Sequence, residues 1–287
     1  MRFKVASELS YKVAAPSTIL FNIHALRTAT QSVIEESLTI EPYLRHEEYV
    51  SAGGDSRFVR LETGDVPELV VRYSATVDVE HERVDAGQLE RTPMHELAHD
   101  VVPYLFPSRY CESDRLGRLA QRHFGHLAGA PYDCVLAIVD WVHDNVEYVR
   151  GTTTAQTSAL DTLTQGAGVC RDFAHLSIAF CRALNIPARY FTGYAYRLDP
   201  PDFHACFEAF LGGRWLLFDA TRLVPMNGIV RIASGRDAAD ASVATIFGQV
   251  TLDRMTVSCD LAEAAEDFRS VDPATLERAG VCCAASP

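Results

Sequence analysis

Three residues in the second half of the chain, Cys170, His204 and Asp219, have the types and settings that covalent acyl transfer requires. Cys170 follows Gly-Ala-Gly-Val and opens an apolar run, CRDFAHLSIAFCRALNIP, whose pattern predicts a helix ending before Pro187. A sulfur at a helix start lies near N–H groups without helical partners and near the positive end of the dipole, and both favour thiolate over thiol. The glycines at 166 and 168 keep bulk away from that sulfur and let the backbone approach tightly. Taken alone, a free cysteine is explained as well by burial in a core.

The second and third groups lie in strand-like runs. In D-F-H-A-C-F-E-A-F, alternation places His204, Cys206 and Glu208 on one face and Phe203, Ala205 and Phe207 on the other. Asp219 ends the next run, G-R-W-L-L-F-D-A-T, after the turn L-G-G-R. A Gly-Gly hairpin makes these strands antiparallel neighbours and brings imidazole and carboxylate within reach of each other. A thiol activated by an imidazole that a carboxylate orients follows the triad logic of acyl transfer, here attack on an amide carbonyl through a thioester.

In the order Cys, His, Asp, the segments G-V-C-R-D-F-A-H-L, D-F-H-A-C-F-E-A-F and W-L-L-F-D-A-T resemble the transglutaminase-like superfamily over about residues 158–222. The resemblance implies a papain-type core, with a Cys-bearing helix on a small antiparallel sheet. It makes Cys170 the nucleophile, His204 the general base and then acid, and Asp219 the residue that orients the imidazole. The β-rich region before it is similar to the N-terminal domain of many bacterial members.

Acyl transfer also needs donors for the developing oxyanion, and the backbone N–H of Cys170 is one. For the second, Gln165 is a candidate, much as papain-type enzymes use an upstream glutamine, although a polar residue in a solvated loop explains it equally. Trp141, an indole donor on the preceding helix, is a candidate for binding substrate, although a tryptophan there is more often a core residue than a catalytic one. Arg171 and Asp172 fall in the first turn of the Cys170 helix, where aspartate suits the dipole, and either could contact substrate. His175 faces away from Cys170 and reads as a core histidine, while Arg236, Asp237 and Asp240 read as a loop-to-helix connection that could line the cleft.

A different chemistry is suggested by M-H-E-L-A-H at residues 94–99, in which His95 and His99 on one helical face would bind zinc with Glu96 as base. Pro93 and Pro103 leave room for only a short helix, and no third ligand follows in the metzincin pattern. A zinc protease therefore ranks below the thiol enzyme, whose chemistry calls for no cofactor and no metal.

The elements that must position the triad divide the chain. Residues 1–85 read as an antiparallel, sandwich-like β domain: RFKVASELSYKV, TILFNIHAL, SVIEESLTIE, SRFVRLE and ELVVRYSATVDVE have period two and are separated by turn-prone pieces. The polar stretch HERVDAGQLERTP at 81–93 reads as a linker. The catalytic domain spans 94–258, with helices predicted from the prolines at 107 and 131, over 107–124 and 131–148. A loop with one short helical turn covers 151–168, and after the Cys170 helix come the strand-like runs ARYFTGYAYRL, FHACFEAFL and RWLLFDAT. Residues 259–287 read as a tail in which Cys282 and Cys283 are exposed. The fold class is α+β.

Composition narrows the partners. A formal net charge of -12 over 287 residues, with no basic run, argues against nucleic acid. No apolar stretch has the length of a signal peptide core or a membrane span, so a cytoplasmic protein is expected. With no C-x-x-C and with Cys111, Cys134, Cys170, Cys181, Cys206 and Cys259 widely scattered, reduced thiols are the default. The expected substrate is a peptide, a protein or a small amide. Water as acyl acceptor gives a peptidase or amidase, the favoured reading, and an amine gives a transamidase. A non-catalytic binding module is a further reading, against which the complete triad argues.

Overall fold

The computed structural model describes residues 1–51, 56–262, 268–272 and 279–282. The period-two runs form strands, as expected where one face is buried. In Arg2–Val13 the residues Phe3, Val5, Ser7, Leu9 and Tyr11 are buried and their neighbours are not. That strand lies between Val250–Leu261 and Glu68–Val79, and Gln31–Glu41 completes a four-stranded antiparallel sheet. A second antiparallel sheet runs Ala244–Phe247, Thr18–Phe21, Arg57–Glu62, His46–Val50. Phe3, Val5 and Leu9 from the first sheet share a core with Ile19, Phe21, Val59 and Leu61 from the second.

Both sheets thus take a strand from after residue 243, and the expected boundary at 258 falls inside Val250–Leu261. A third sheet is similarly composite. Its order is Ile229–Gly235, Ala188–Ala195, Phe203–Leu211, Arg214–Phe218, Ala279–Cys282, Glu82–Asp85. Its outermost strand comes from the segment that reads as a linker. Cys282, expected to be exposed, is buried because it pairs opposite Leu216 inside this sheet; Cys283 lies outside the described residues.

Helices α1 (Ser113–Phe124), α2 (Pro131–Asn145), α3 (Ala159–Gln165), α4 (Cys170–Ala183) and the short α5 (Ala238–Ala241) complete the described regular structure. α1 starts six residues after Pro107, because 108–111 is closed by paired backbone bonds between Ser108 and Cys111 and held by Asp237, which accepts the Tyr110 N–H. α3 is a full seven-residue helix with a capping box of Ser158 and Asp161, not a single turn. α2 ends three residues early, and Glu147–Tyr148 instead pairs in parallel with Ala167–Gly168. α4 shares the main core with Phe203, Ala205, Phe207 and Ala209, the apolar face of the neighbouring strand. None of the helices among the described residues is long and apolar enough to cross a membrane.

Candidate active site

The site is assembled around the start of α4. Asp172 is fully buried there, and one carboxylate oxygen accepts the Val169 N–H at 2.9 Å and the Thr153 hydroxyl at 2.8 Å. The other accepts Nε and Nη2 of Arg171 at 3.1 and 2.9 Å, and Arg171 also donates to the Thr154 carbonyl at 2.9 Å. These bonds tie the 153–154 loop to the first turn of the helix. With both oxygens engaged and no exposed surface, Asp172 has no capacity left for a substrate, so its role is to fix the helix start.

The two glycines act on the backbone. Gly166 ends α3 in the left-handed region at φ 65°, and Gly168 passes so near Asp172 that a side chain would collide with it. Their service to the sulfur is to place it, more than to clear space around it.

Cys170, at the first position of α4, remains partly exposed, whereas His204 and Asp219 are both buried. His204 is the second residue of the strand Phe203–Leu211, and Asp219 directly follows its hairpin partner Arg214–Phe218. Nε2 of His204 and Oδ2 of Asp219 lie 2.8 Å apart. Oδ1 of Asp219 accepts the Thr221 N–H at 2.9 Å and its hydroxyl at 2.7 Å, so the carboxylate cannot swing away. The remaining ring nitrogen, Nδ1, is buried without a hydrogen bond of ordinary geometry, and the Cys170 sulfur acts on the ring both as hydrogen-bonding and as Coulombic neighbour.

Electrostatics follow from this packing. Burial by itself would push the His204 pKa down, but the Asp219 charge and hydrogen bond, reinforced by Cys170, outweigh it and raise the value to about 10. Asp219 is held below the ordinary carboxylate range: burial would raise it, and His204 and Thr221 more than offset that cost.

Tyr148 is a neighbour of the sulfur that the periodicity hides, since the helix pattern runs on to residue 148. Burial, with Cys170 as a charged neighbour, raises its phenol to about 12. The signal available was V-E-Y-V, a short β-prone alternation immediately after Asn145.

The other candidates fall elsewhere. Gln165 is exposed at the end of α3, and Trp141 packs edge-on against Phe180 and Phe124 at centroid distances of 5.3 and 6.4 Å, in the core role. His175 is buried, stacked on Tyr110 and tilted against Tyr190, and its Nε2 accepts the Ala238 N–H at 3.1 Å; burial pushes its pKa well down. Asp237 caps α5, while Arg236 and Asp240 form an exposed ion pair. In the zinc-like motif only Met94–Glu96 is helical, as a 3₁₀ turn, and Leu97 is extended, with ψ 130°. The single α-helical face that would bring His95 and His99 together is therefore missing, which removes the geometric basis of the metalloprotease reading.

Cysteine-dependent acyl-transfer enzymes of the transglutaminase and papain type are built on this plan of a thiol at a helix start facing a histidine strand. Residues 1–100 match the bacterial transglutaminase N-terminal domain and residues 121–220 the transglutaminase-like superfamily, and the chain belongs to that superfamily. It is 52% identical to a Cytophaga hutchinsonii protein of known structure, provisionally named a cysteine protease, covering 98% of this chain and 97% of that one with a TM-score of 0.94. An uncharacterised protein of Mycobacterium leprae is 29% identical over 262 residues, 84% of this chain and 91% of its own. A second uncharacterised protein, from Mycobacterium tuberculosis, is 35% identical over 115 residues, 34% of this chain and 36% of its own. Family and neighbour together support a cysteine-based catalytic role.

Proposed function

We propose that the chain is a thiol hydrolase, a peptidase or amidase, that forms a thioester on Cys170. The observation that carries this reading is the buried His204–Asp219 pair, with Nε2 and Oδ2 2.8 Å apart, neighboured by the sulfur of a residue at a helix start. In this mechanism the Cys170 thiol gives its proton to His204, the general base. The sulfur forms a bond to the amide carbon as the carbonyl π pair moves onto oxygen. When that pair returns, the C–N bond breaks, and the His204 proton passes to the departing nitrogen. His204 then takes a proton from water as its oxygen attacks the thioester, and the acid leaves as sulfur departs.

The substrate is a peptide, a protein or a small amide. Water is favoured as acceptor because it is always present, whereas a transamidase needs in addition a docking site for an amine beside the thioester. Iodoacetamide should alkylate Cys170 ahead of Cys111, Cys134, Cys181, Cys206 and Cys259, which are all buried, and the rate should drop in His204→Ala. Equal labelling of every thiol would remove the nucleophile assignment. On a peptide library at moderate amine concentration, free acids are the expected products; a preponderance of amine-coupled products would make the enzyme a transamidase.

A further inference from the structure

Val250–Leu261 is the outer strand of the first sheet: Arg2–Val13 pairs with it on one side, and no strand among the described residues pairs with it on the other. Residues 251–256 are exposed throughout. Leu252 and Met255 are 44% and 36% exposed, although they stand on the face that Tyr11 and Leu9 bury in the neighbouring strand. An open edge flanked by apolar side chains invites a further strand.

The strand that fits is written in residues 250–257, V-T-L-D-R-M-T-V. Read outward from the centre, Asp matches Arg, Leu matches Met, Thr matches Thr and Val matches Val. An antiparallel copy of the segment, turned about a two-fold axis between residues 253 and 254, therefore sets Asp253 opposite Arg254 of the second copy and Leu252 opposite its Met255.

In a regular strand this match would be out of phase. Side chains alternate between faces, so Leu252 and Met255, three positions apart, would point to opposite sides and could not meet across the axis. The ladder with Arg2–Val13 removes the conflict. Its register shifts between Ser10 and Tyr11 and leaves Asp253 without a partner, so that Leu252 lies opposite Tyr11 and Met255 opposite Leu9. Tyr11 and Leu9 share a face, and Leu252 and Met255 therefore do as well. Thr251 and Thr256, opposite Lys12 and Glu8, share the other. Asp253 reaches Lys12 and Arg254 reaches Glu8 on that second face, and both remain more than half exposed. A bulge commonly spoils an edge for pairing; here it brings the two halves of the segment into phase.

We propose that the chain forms a two-fold dimer through this edge, joining two four-stranded sheets side by side. Leu252 and Met255 of each copy cover those of the other, and Asp253 and Arg254 pair across the axis with opposite charge. At a net charge of -12 two copies repel at a distance, so complementary charge at the edge selects where they meet. Association through this edge uses none of Cys170, His204 and Asp219.

Sedimentation equilibrium of the full chain reads the association directly. The parent is expected to approach twice 31.7 kDa in the micromolar range, and a chain that stays monomeric up to millimolar concentration overturns the dimer. Asp253→Arg and Arg254→Asp each set like charges against one another, and each variant alone is expected to associate at least about tenfold more weakly. Mixed in equal amounts, the two variants regain opposite charges across the axis, and a heterodimer is expected. Single variants that associate like the parent, or a mixture that stays monomeric, overturn the assignment. Should either variant not fold, Met255→Lys removes the apolar contact instead; weakened association supports the edge, and association equal to the parent's places the dimer elsewhere and overturns it.

Discussion

Gly168 and Asp172 approach so closely that a Cβ on the glycine would lie 2.7 Å from the Cβ of the aspartate. Asp172 cannot retreat, because its carboxylate is bonded to Val169, Thr153 and Arg171. Gly168→Ala must therefore displace the start of α4, at a cost of about 1–3 kcal/mol for overpacking of this kind. Chemical denaturation should register that loss, and the rate of Cys170 alkylation should fall with it. A variant as stable and as reactive as the parent would show that the helix start tolerates movement.

The His204–Asp219 pair predicts a pH dependence. His204 is raised from 6.5 to about 10 on folding, so its contribution to stability is complete below 6.5 and is lost as pH climbs through about 10. Asp219→Asn removes the charge that raises it. The stability advantage of the parent over this variant should be largest at about pH 6.5 and shrink steadily toward pH 10. Unfolding curves for both proteins across that window decide the point, and an advantage that grows with pH would reverse the assignment.

Four residues along the strand that carries His204, Glu208 is fully buried between two guanidinium groups. It accepts from Arg189 Nε at 2.5 Å and pairs with Arg231, which is itself buried. Glu208→Ala leaves Arg231 buried without a counter-charge and should cost about 3–5 kcal/mol. Replacing Glu208 and Arg231 together by leucine and methionine should restore much of that loss, as read by urea denaturation; a double variant no better than the single would mean that packing, not charge, dominates there.

Thr221 is expected to act on the site through Asp219, which accepts both its N–H and its hydroxyl. Thr221→Val keeps the shape and the backbone bond to Asp219, and removes the hydroxyl bond to Asp219 together with the one the hydroxyl accepts from the Leu223 N–H at 3.3 Å. A several-fold fall in acylation rate is expected, with a lowered apparent pKa for His204, and titration of the His204 ring by NMR provides a readout that simple loss of packing would not move.

The parts of the site that were legible in the sequence are those encoded locally. G-V-C-R-D-F opens a helix within a few residues, and the alternation of FHACFEAFL and the L-G-G-R turn specify a hairpin without reference to the rest of the chain. The parts that were hidden depend on distant pairing. Glu82–Asp85 looks like a linker until Ala279–Cys282, nearly 200 residues on, supplies its partner. Tyr148 is read as the end of a helix because the two-residue bridge to Gly168 has no pattern of its own. Pro107 misleads for a related reason, since the Tyr110 N–H is claimed by Asp237 from far along the sequence, which delays the helix to Ser113.

The strand Arg2–Val13 lies between one neighbour made early in synthesis and one made late, Val250–Leu261. A ribosome delivers the first strand long before the second exists, so the N-terminal sheet waits with an open side while the segment holding Cys170, His204 and Asp219 is still being extruded. Exposed strand edges of this kind invite pairing with other chains. Glu8 and Lys12, which pair with Arg254 and Asp253 in the folded chain, place on this strand charges of the kind that discourage such pairing.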